Sequence, residues 1–478
     1  MANPSSAGDS SILRLLPSLD DLMSTEAARE VAHRSGRTRL KMLARRVMDA
    51  MRAELREAIS SGVKDTSGYE RADLLARLEK DLLASWRVYE MSGTRHVINA
   101  TGVVIHTNLG RAPLSDKTVA AILREASGYC TLEYDVSEGT RGKRGSYAEE
   151  LLAELTGAEA ALIVNNCAAA AFFILTVFAK GGEVIVSRGE LVEIGGDFRV
   201  PDVLTQSGST LSEVGTTNRT KLTDYEKAFN KSTKMILRVH PSNYKIVGFT
   251  ATPTIAELAA FAHKKKILLY EDAGSGALVD LSEYGLGDEP LIKRSIADGA
   301  DIVSFSGDKL MGSGQAGLIV GKRSLIEKLR KHPLYRALRV GKLIYAALEQ
   351  TLRSYARESA VDDIPVLKML SMPREVVAAR TKRFALKLAK ERNNAGGLQI
   401  ALMGGRSVIG GGSAPGVHPQ TMLLSLSHEN FSASELEKKL RASDPPVIAR
   451  IENNAVLLDL RTVPEREQNE LISVLASL

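Results

Sequence analysis

Cysteine is scarce in this chain of 478 residues: Cys130 and Cys167 are the only two. Two thiols cannot build a disulfide framework, no C-x-x-C or H-E-x-x-H spacing occurs, and the eight histidines are scattered. No metal site is therefore expected. A large excess of one charge is also missing. Sixty-three Lys and Arg against 57 Asp and Glu leave +6, a mild hint of an anionic partner over this length. The opening MANPSSAGDSSILRLLPSL has no basic segment before a long apolar run, so no secretory leader is expected and a reducing cytoplasm is the default. Residues 160–179, AALIVNNCAAAAFFILTVFA, have the length of a membrane span. Asn165 and Asn166 interrupt them, however, and Gly181-Gly182 follow at once. A buried strand at 161–164, a polar turn and a buried helix are expected instead, with no membrane partner.

What is present is ordinary for a globular protein, 44% apolar and 25% charged. The length suggests roughly three domains. Residues 11–90 read as helical, with Ser-Gly breaks at 60–62 and 67–68. From Arg34 to Arg56 eight cations (Arg34, Arg37, Arg39, Lys41, Arg45, Arg46, Arg52, Arg56) face two acids, Asp49 and Glu54. Composition alone leaves a solvated helix face and a phosphate-contacting helix both open. From about residue 91 short apolar runs alternate with helical patterns. Strands are expected at 161–164, 183–187, 235–239, 266–271, 301–305 and 316–320, with an amphipathic helix at 146–156. Repeated βα units predict a mostly parallel sheet covered on both faces. Beyond 350 a long helical segment to 395, then alternating segments at 421–426 and 455–460, predict a smaller α+β domain. Its most obvious loop is the glycine cluster at 404–412.

Ligands of open α/β sheets sit at the carboxyl ends of the strands. Three such ends carry chemistry here. Asn166, Cys167 and Ala168 open a helix whose first amides suit an anion. Asp272 follows the run at 266–271, and Ser306 and Lys309 follow the run at 301–305. A phosphate cradle, a buried acid and a lysine, in that order, suit pyridoxal phosphate. The lysine takes the cofactor's aldehyde, the acid keeps its ring nitrogen protonated, and the amides hold its phosphate. Gly312-Ser313-Gly314-Gln315-Ala316-Gly317 fits a dinucleotide fingerprint, but it leads into a strand where that motif must open a helix.

RHVINATGVVIHTNLGRAPLS (95–115), GTRGKRGSYAEELLAELTGAEAALIVNN (139–166), SRGELVEIGGDFRVPD (187–202), SFSGDKLMGSGQAGLIVGK (304–322), HPLYRALRVGK (332–342) and IARIENNAVLLDLRTV (448–463) resemble the bacterial selenocysteine synthase family. These are the L-seryl-tRNA(Sec) selenium transferases. The resemblance covers nearly the whole chain. It implies a fold-type I, aspartate-aminotransferase-like α/β core at 89–350. A helical tRNA-binding domain at 1–88 and a small C-terminal α+β domain at 351–478 would flank it. It further implies that seryl-tRNA(Sec) becomes selenocysteyl-tRNA(Sec) through a PLP-bound aminoacrylyl intermediate, with selenophosphate as donor and no DNA partner. Lys309 and Asp272 would be the catalytic pair. Asn166, Cys167, Ala168, Ser306 and Asn243 would complete the cofactor site. Arg111, Arg336 and Arg339 would take selenophosphate, and Arg336 and Arg339, three apart, would share a helix face. Arg34, Arg37, Arg39, Lys41, Arg45 and Arg46 would meet tRNA. The family assembles as a homodecamer, a pentamer of dimers with active sites at dimer interfaces. The chain departs from the family at Cys167 and Gly341, where Asn and Asp are expected, and at Tyr335, where Lys is more usual. The alternative is a related PLP lyase acting on a small phosphorylated amino compound without tRNA.

Overall fold

The computed structural model describes residues 13–61, 70–194, 198–392 and 397–478. The break expected at 67–68 lies outside them. The chain divides into two compact units, Met1–His96 and Val97–Leu478.

The first unit is helical: α1 Leu19–Met23, α2 Glu26–Ser35, α3 Arg37–Ser60 and α4 Arg71–Met91. Ser18 and Thr25 cap α1 and α2 through their hydroxyls. Gly36, at φ +80°, separates α2 from α3, a backbone angle that L-residues avoid. The basic run is therefore split, with Arg34 on one helix and the remaining cations on the next. Leu40, Leu43, Val47, Met51 and Leu55 recur at helical spacing and are buried against Leu74, Leu78, Leu82 and Trp86. This core is drawn entirely from within the unit. Helix α4 runs through the expected boundary at 88.

The second unit is built on a seven-stranded sheet: β1 Ala160–Val164, β2 Glu183–Ser187, β3 Thr210–Val214, β4 Thr233–Val239, β5 Leu268–Gly274, β6 Ile302–Ser306 and β7 Gly317–Gly321. Their order is β1-β7-β6-β5-β4-β2-β3, and only β7 runs antiparallel to its neighbours. The sequence pattern missed β3, whose TLSEV is mostly not buried at the sheet edge. The run at 160–179 became β1 followed by a helix, as expected. No helix among the described residues is long and apolar enough to cross a membrane. Helices α5 Asp116–Ala126, α6 Ser146–Thr156, α7 Cys167–Phe178, α8 Ile255–Lys265 and α9 Lys342–Ala356 accompany the sheet. Separate apolar clusters fill its two faces.

The helical segment expected to run to 395 is broken. Pro365 opens a short helix at Pro365–Ser371, and Pro373 immediately precedes α10 Arg374–Arg392. A four-stranded antiparallel sheet follows: β8 Leu398–Arg406, β9 Gln420–His428, β10 Arg450–Glu452 and β11 Ala455–Asp459, in order β8-β9-β11-β10. Helices α10, α11 Ala433–Ala442 and α12 Gln468–Ala476 pack on it. The glycine cluster is not one loop. Gly404 and Gly405 lie within β8, and Val408–Gly410 pairs in parallel with Val103–Ile105.

Beside that pairing lies a buried hydrogen-bond network. Asp459 accepts from Ser407 (2.6 Å) and Thr421 (2.8 Å), while Arg461 donates to the carbonyls of Met369, Met372 and Gln420. Gly102, at φ +78°, lies against it, and a Cβ there would stand 2.5 Å from Asp459 Oδ2. Gly102→Ala should destabilise the chain by ~1–2 kcal/mol from backbone strain alone, and by more through the clash, because Asp459 is held from two sides. Urea unfolding measures this, and an unchanged midpoint would contradict it.

Candidate active site

A cavity of about 410 Å³ opens at the carboxyl edge of the main sheet. Its wall carries Asn166, Cys167, Ala168, Asn243, Asp272, Ser306 and Lys309, together with Arg111. Residues separated by up to about two hundred positions meet there because β1, β4, β5 and β6 all end at this edge.

Helix α7 begins at the cavity. Its N-cap Asn166 accepts the Ala169 amide (2.8 Å), while the amides of Cys167 and Ala168 open the helix without intrahelical partners. Asp272 lies inside β5 rather than after it, since the strand begins two residues later than expected and ends three residues later. Burial raises its carboxyl pKa, opposed by donors from Cys167 and Gly274 and by the charge of Lys309. Lys309, only 8% exposed, lines the cavity with no hydrogen bond or ion pair to its Nζ among the described residues. An unpartnered buried ammonium is costly, whereas an amine destined to join a carbonyl needs this freedom. Gly412 (φ +70°) borders the amine: a Cβ there would lie 3.6 Å from Lys309 Nζ, at ordinary contact distance. The cradle, acid and free lysine fit pyridoxal phosphate.

Other expected residues are placed differently. Asn243 is exposed and donates its amide to the Glu193 carbonyl (2.8 Å). Arg111, at φ +65°, pairs with Asp308 (2.8 Å) on the cavity wall. Arg336 and Arg339 do not line this cavity. Nor do they share a helix face: the helix Leu334–Leu338 ends before Arg339, whose ψ of 139° is extended. Arg336 is exposed, and Arg339 lies 3.8 Å from Glu133. Tyr335 is a core residue, 7% exposed in the cluster beneath α7, so this departure fills the interior rather than an anion pocket. Gly341 is the N-cap of α9 with no side-chain cap and open space around it. An Asp there could serve as a cap. In the helical unit Arg37, Lys41, Arg45 and Arg46 are exposed on α3, and Arg39 is half-buried. Arg39 stacks on Tyr89, while Arg34 stacks on Trp86 and pairs with Glu90.

The sequence pattern overlooked His240, Gln315, Gly411 and Gly412. His240 directly follows β4 and was open to the strand-end argument. The two glycines arrive from a segment over a hundred residues past Lys309; their cluster is visible in the sequence, but nothing local ties it to the lysine. Burial depresses the His240 pKa to about 4, helped by the charges of Arg238 and Lys309. The unfolded chain would bind a proton near the ordinary 6.5, so between 6.5 and 4 the unfolded state takes up a proton that the folded state refuses. His240 should therefore cost stability as pH falls through that window. Denaturation midpoints of wild type and His240→Asn, compared from pH 7 to 4, should converge or cross. Parallel curves would contradict this.

A seven-stranded sheet with one antiparallel strand, and a lysine and an acid on neighbouring strand ends, define a fold-type I, aspartate-aminotransferase-like architecture. Residues 97–464 match the SelA family, L-seryl-tRNA selenium transferase, and the chain belongs to that family. It is 41% identical to the L-seryl-tRNA(Sec) selenium transferase of Geobacter sulfurreducens, covering 98% of this chain and 99% of that one. Identity to the Carboxydothermus hydrogenoformans enzyme of the same name is 42%, over 95% of both. Among solved structures, a D-glucosaminate-6-phosphate ammonia-lyase shares the fold. Its TM-score is 0.55 at 21% identity, over 82% of this chain and 97% of that one.

Proposed function

We propose that the chain converts seryl-tRNA(Sec) to selenocysteyl-tRNA(Sec), with pyridoxal phosphate as cofactor and selenophosphate as selenium donor. The observation that carries this reading is the convergence of an unpartnered Lys309, Asp272 and the α7 N-terminus on one cavity, in a member of this family. When bound, the cofactor supplies an aldehyde that captures amines and a ring that withdraws electrons from Cα. The chain's own groups do the rest. The α7 amides and Ser306 would hold the phosphate, Asp272 Oδ2 would keep a proton on the ring nitrogen, and Lys309 Nζ would remove the Cα proton of the seryl group. The Cα proton and the seryl hydroxyl leave together as water; the selenium of selenophosphate bonds to Cβ, a proton returns to Cα from Lys309 Nζ, and water cleaves the P–Se bond to release inorganic phosphate. Arg111 provides a guanidinium fork for the donor oxyanion. Assembly as a pentamer of dimers would let Arg336 and Arg339 of one copy reach the cavity of another. The exposed cations of α3 would contact tRNA phosphates.

Gel shifts with seryl-tRNA(Sec) and seryl-tRNA(Ser), paired with a selenium-transfer assay, test the reading. Selective binding and conversion of the first are expected. Arg111→Ala, Arg336→Ala and Arg339→Ala should each lower transfer by about 10²-fold with tRNA affinity kept. Equal loss of tRNA affinity in all three would move these arginines to the RNA surface. Conversion of a small phosphorylated amino compound in place of seryl-tRNA(Sec) would overturn the reading.

A further inference from the structure

Asp272 has three hydrogen-bond donors, and all three meet the same oxygen. Oδ1 accepts from the Gly274 amide (3.2 Å), the Ser304 hydroxyl (3.4 Å) and the Cys167 thiol (3.4 Å). Oδ2 has no hydrogen-bond partner among the described residues and belongs to a side chain that lines the cavity. Behind Ser304 stands Tyr270, fully buried, with its phenol 2.7 Å from Ser304 Oγ.

The fold explains the arrangement. Tyr270 and Asp272 are two apart on β5 and so face the same side of the sheet. Ser304 is the register partner of Asp272 on β6, and Cys167 is the first residue of α7. Proton directions follow from the partners. Ser304 Oγ is the one acceptor the phenol meets among the described residues, so Tyr270 donates to Ser304. Ser304 then has its own proton to give, and of its two remaining neighbours, Asp272 Oδ1 and the Cys167 sulfur at 3.7 Å, the carboxylate is the stronger acceptor. Burial and the nearby Asp272 charge keep the Tyr270 phenol and the Cys167 thiol protonated, and a protonated thiol is a donor. Donors to the charged form favour it and oppose the desolvation that would neutralise Asp272. The other titratable groups around it are Lys309, His240 and the paired Arg111 and Asp308 on the cavity wall, and Glu271, its neighbour in β5, whose burial favours the neutral acid.

We propose that Tyr270, Ser304 and Cys167 are positioning residues: they occupy Asp272 Oδ1 so that an ionised carboxylate presents Oδ2 to the cofactor's ring nitrogen. This rests on the reading that pyridoxal phosphate fills the cavity. It also explains the tolerated departure at Cys167. The thiol donates to the acid as an asparagine amide could, so its contribution lies with the ring nitrogen rather than the phosphate.

The test is the protonation of the ring nitrogen, followed by solid-state ¹⁵N NMR against pH in holoenzyme loaded with ring-labelled pyridoxal phosphate. In Ser304→Ala the nitrogen should lose its proton about one to two pH units lower than in wild type, the size expected for losing a hydrogen bond to a charged group. Tyr270→Phe, which keeps the ring and its packing, should shift in the same direction. The double variant should shift no further than Ser304→Ala, because Tyr270 acts through Ser304. Cys167→Asn should titrate as wild type, and Cys167→Ala below it. In the same variants kcat should fall while the KM for seryl-tRNA(Sec) holds. Wild-type titration in Ser304→Ala, or in Tyr270→Phe should the first fail to fold, would overturn the proposal. So would a wild-type cofactor whose ring nitrogen is unprotonated. A wild-type chain that takes up no pyridoxal phosphate would instead overturn the cofactor reading and this inference with it.

Discussion

Lys309→Ala should leave a folded chain that no longer attaches pyridoxal phosphate covalently and whose turnover is lower by at least about 10²–10⁴-fold. That range is what a positioned general base contributes, before the loss of the attachment itself is counted. The structure supports a large effect because Lys309 Nζ is a buried amine on the cavity wall and has no hydrogen bond or ion pair among the described residues to replace. Borohydride reduction followed by peptide mass analysis reads the attachment directly. In wild type the reduced adduct should sit on the peptide containing Lys309, and in the variant it should vanish. An adduct that persists on another lysine would show that the assignment is wrong. The fold should survive, since an alanine at this position removes a buried polar amine that has no hydrogen bond or ion pair among the described residues, rather than a packed apolar group.

Removing residues 1–96 should separate chemistry from RNA recognition. The remaining unit should fold and take up cofactor, because the apolar clusters of the main sheet and of the C-terminal sheet draw on no residue before Ile98. Affinity for seryl-tRNA(Sec) should fall by on the order of 10²-fold or more, and selectivity over seryl-tRNA(Ser) should vanish. For every phosphate that the truncated chain no longer neutralises, the log–log salt dependence of binding should flatten by about 0.7–0.9. The cut belongs at 96, because one at 88 would sever the last turn of α4 and confuse misfolding with weakened RNA recognition. Choice of one tRNA would still depend on shape and loops, since side chains cannot read an A-form major groove. A truncated chain that binds and converts seryl-tRNA(Sec) with full selectivity would leave the α3 cations as a solvated helix face.

The two experiments address different stretches of sequence, and those stretches differed in how much they disclosed. The strands at 183–187 and 161–164, the helix at 146–156 and the break in the apolar run at Asn165-Asn166 were all legible locally. Each is decided by a hydrophobic period or by a turn residue, and periods and turns are written within a few neighbouring positions. The order of phosphate turn, acid and lysine was legible for a related reason. In a parallel sheet every strand end faces the same edge, so linear order along the chain already implies spatial convergence.

Tertiary structure alone decided the rest. Edge strand β3 has little apolar alternation, because half of it never meets the core. Arg339 has no helical relation to Arg336 because the short helix ends at Leu338, a backbone choice that side-chain spacing does not record. Gly411 and Gly412 reach Lys309 through the pairing of Val408–Gly410 with Val103–Ile105, segments about three hundred residues apart. The donors to Asp272 come from a helix start and two strands. Their meeting on one oxygen depends on register and side-chain direction. By itself the sequence determined which residue types could do this chemistry and which strand ends would carry them. Only the packed chain decided which atoms touch, because the meeting of distant segments is set by burial and register, not by spacing along the chain.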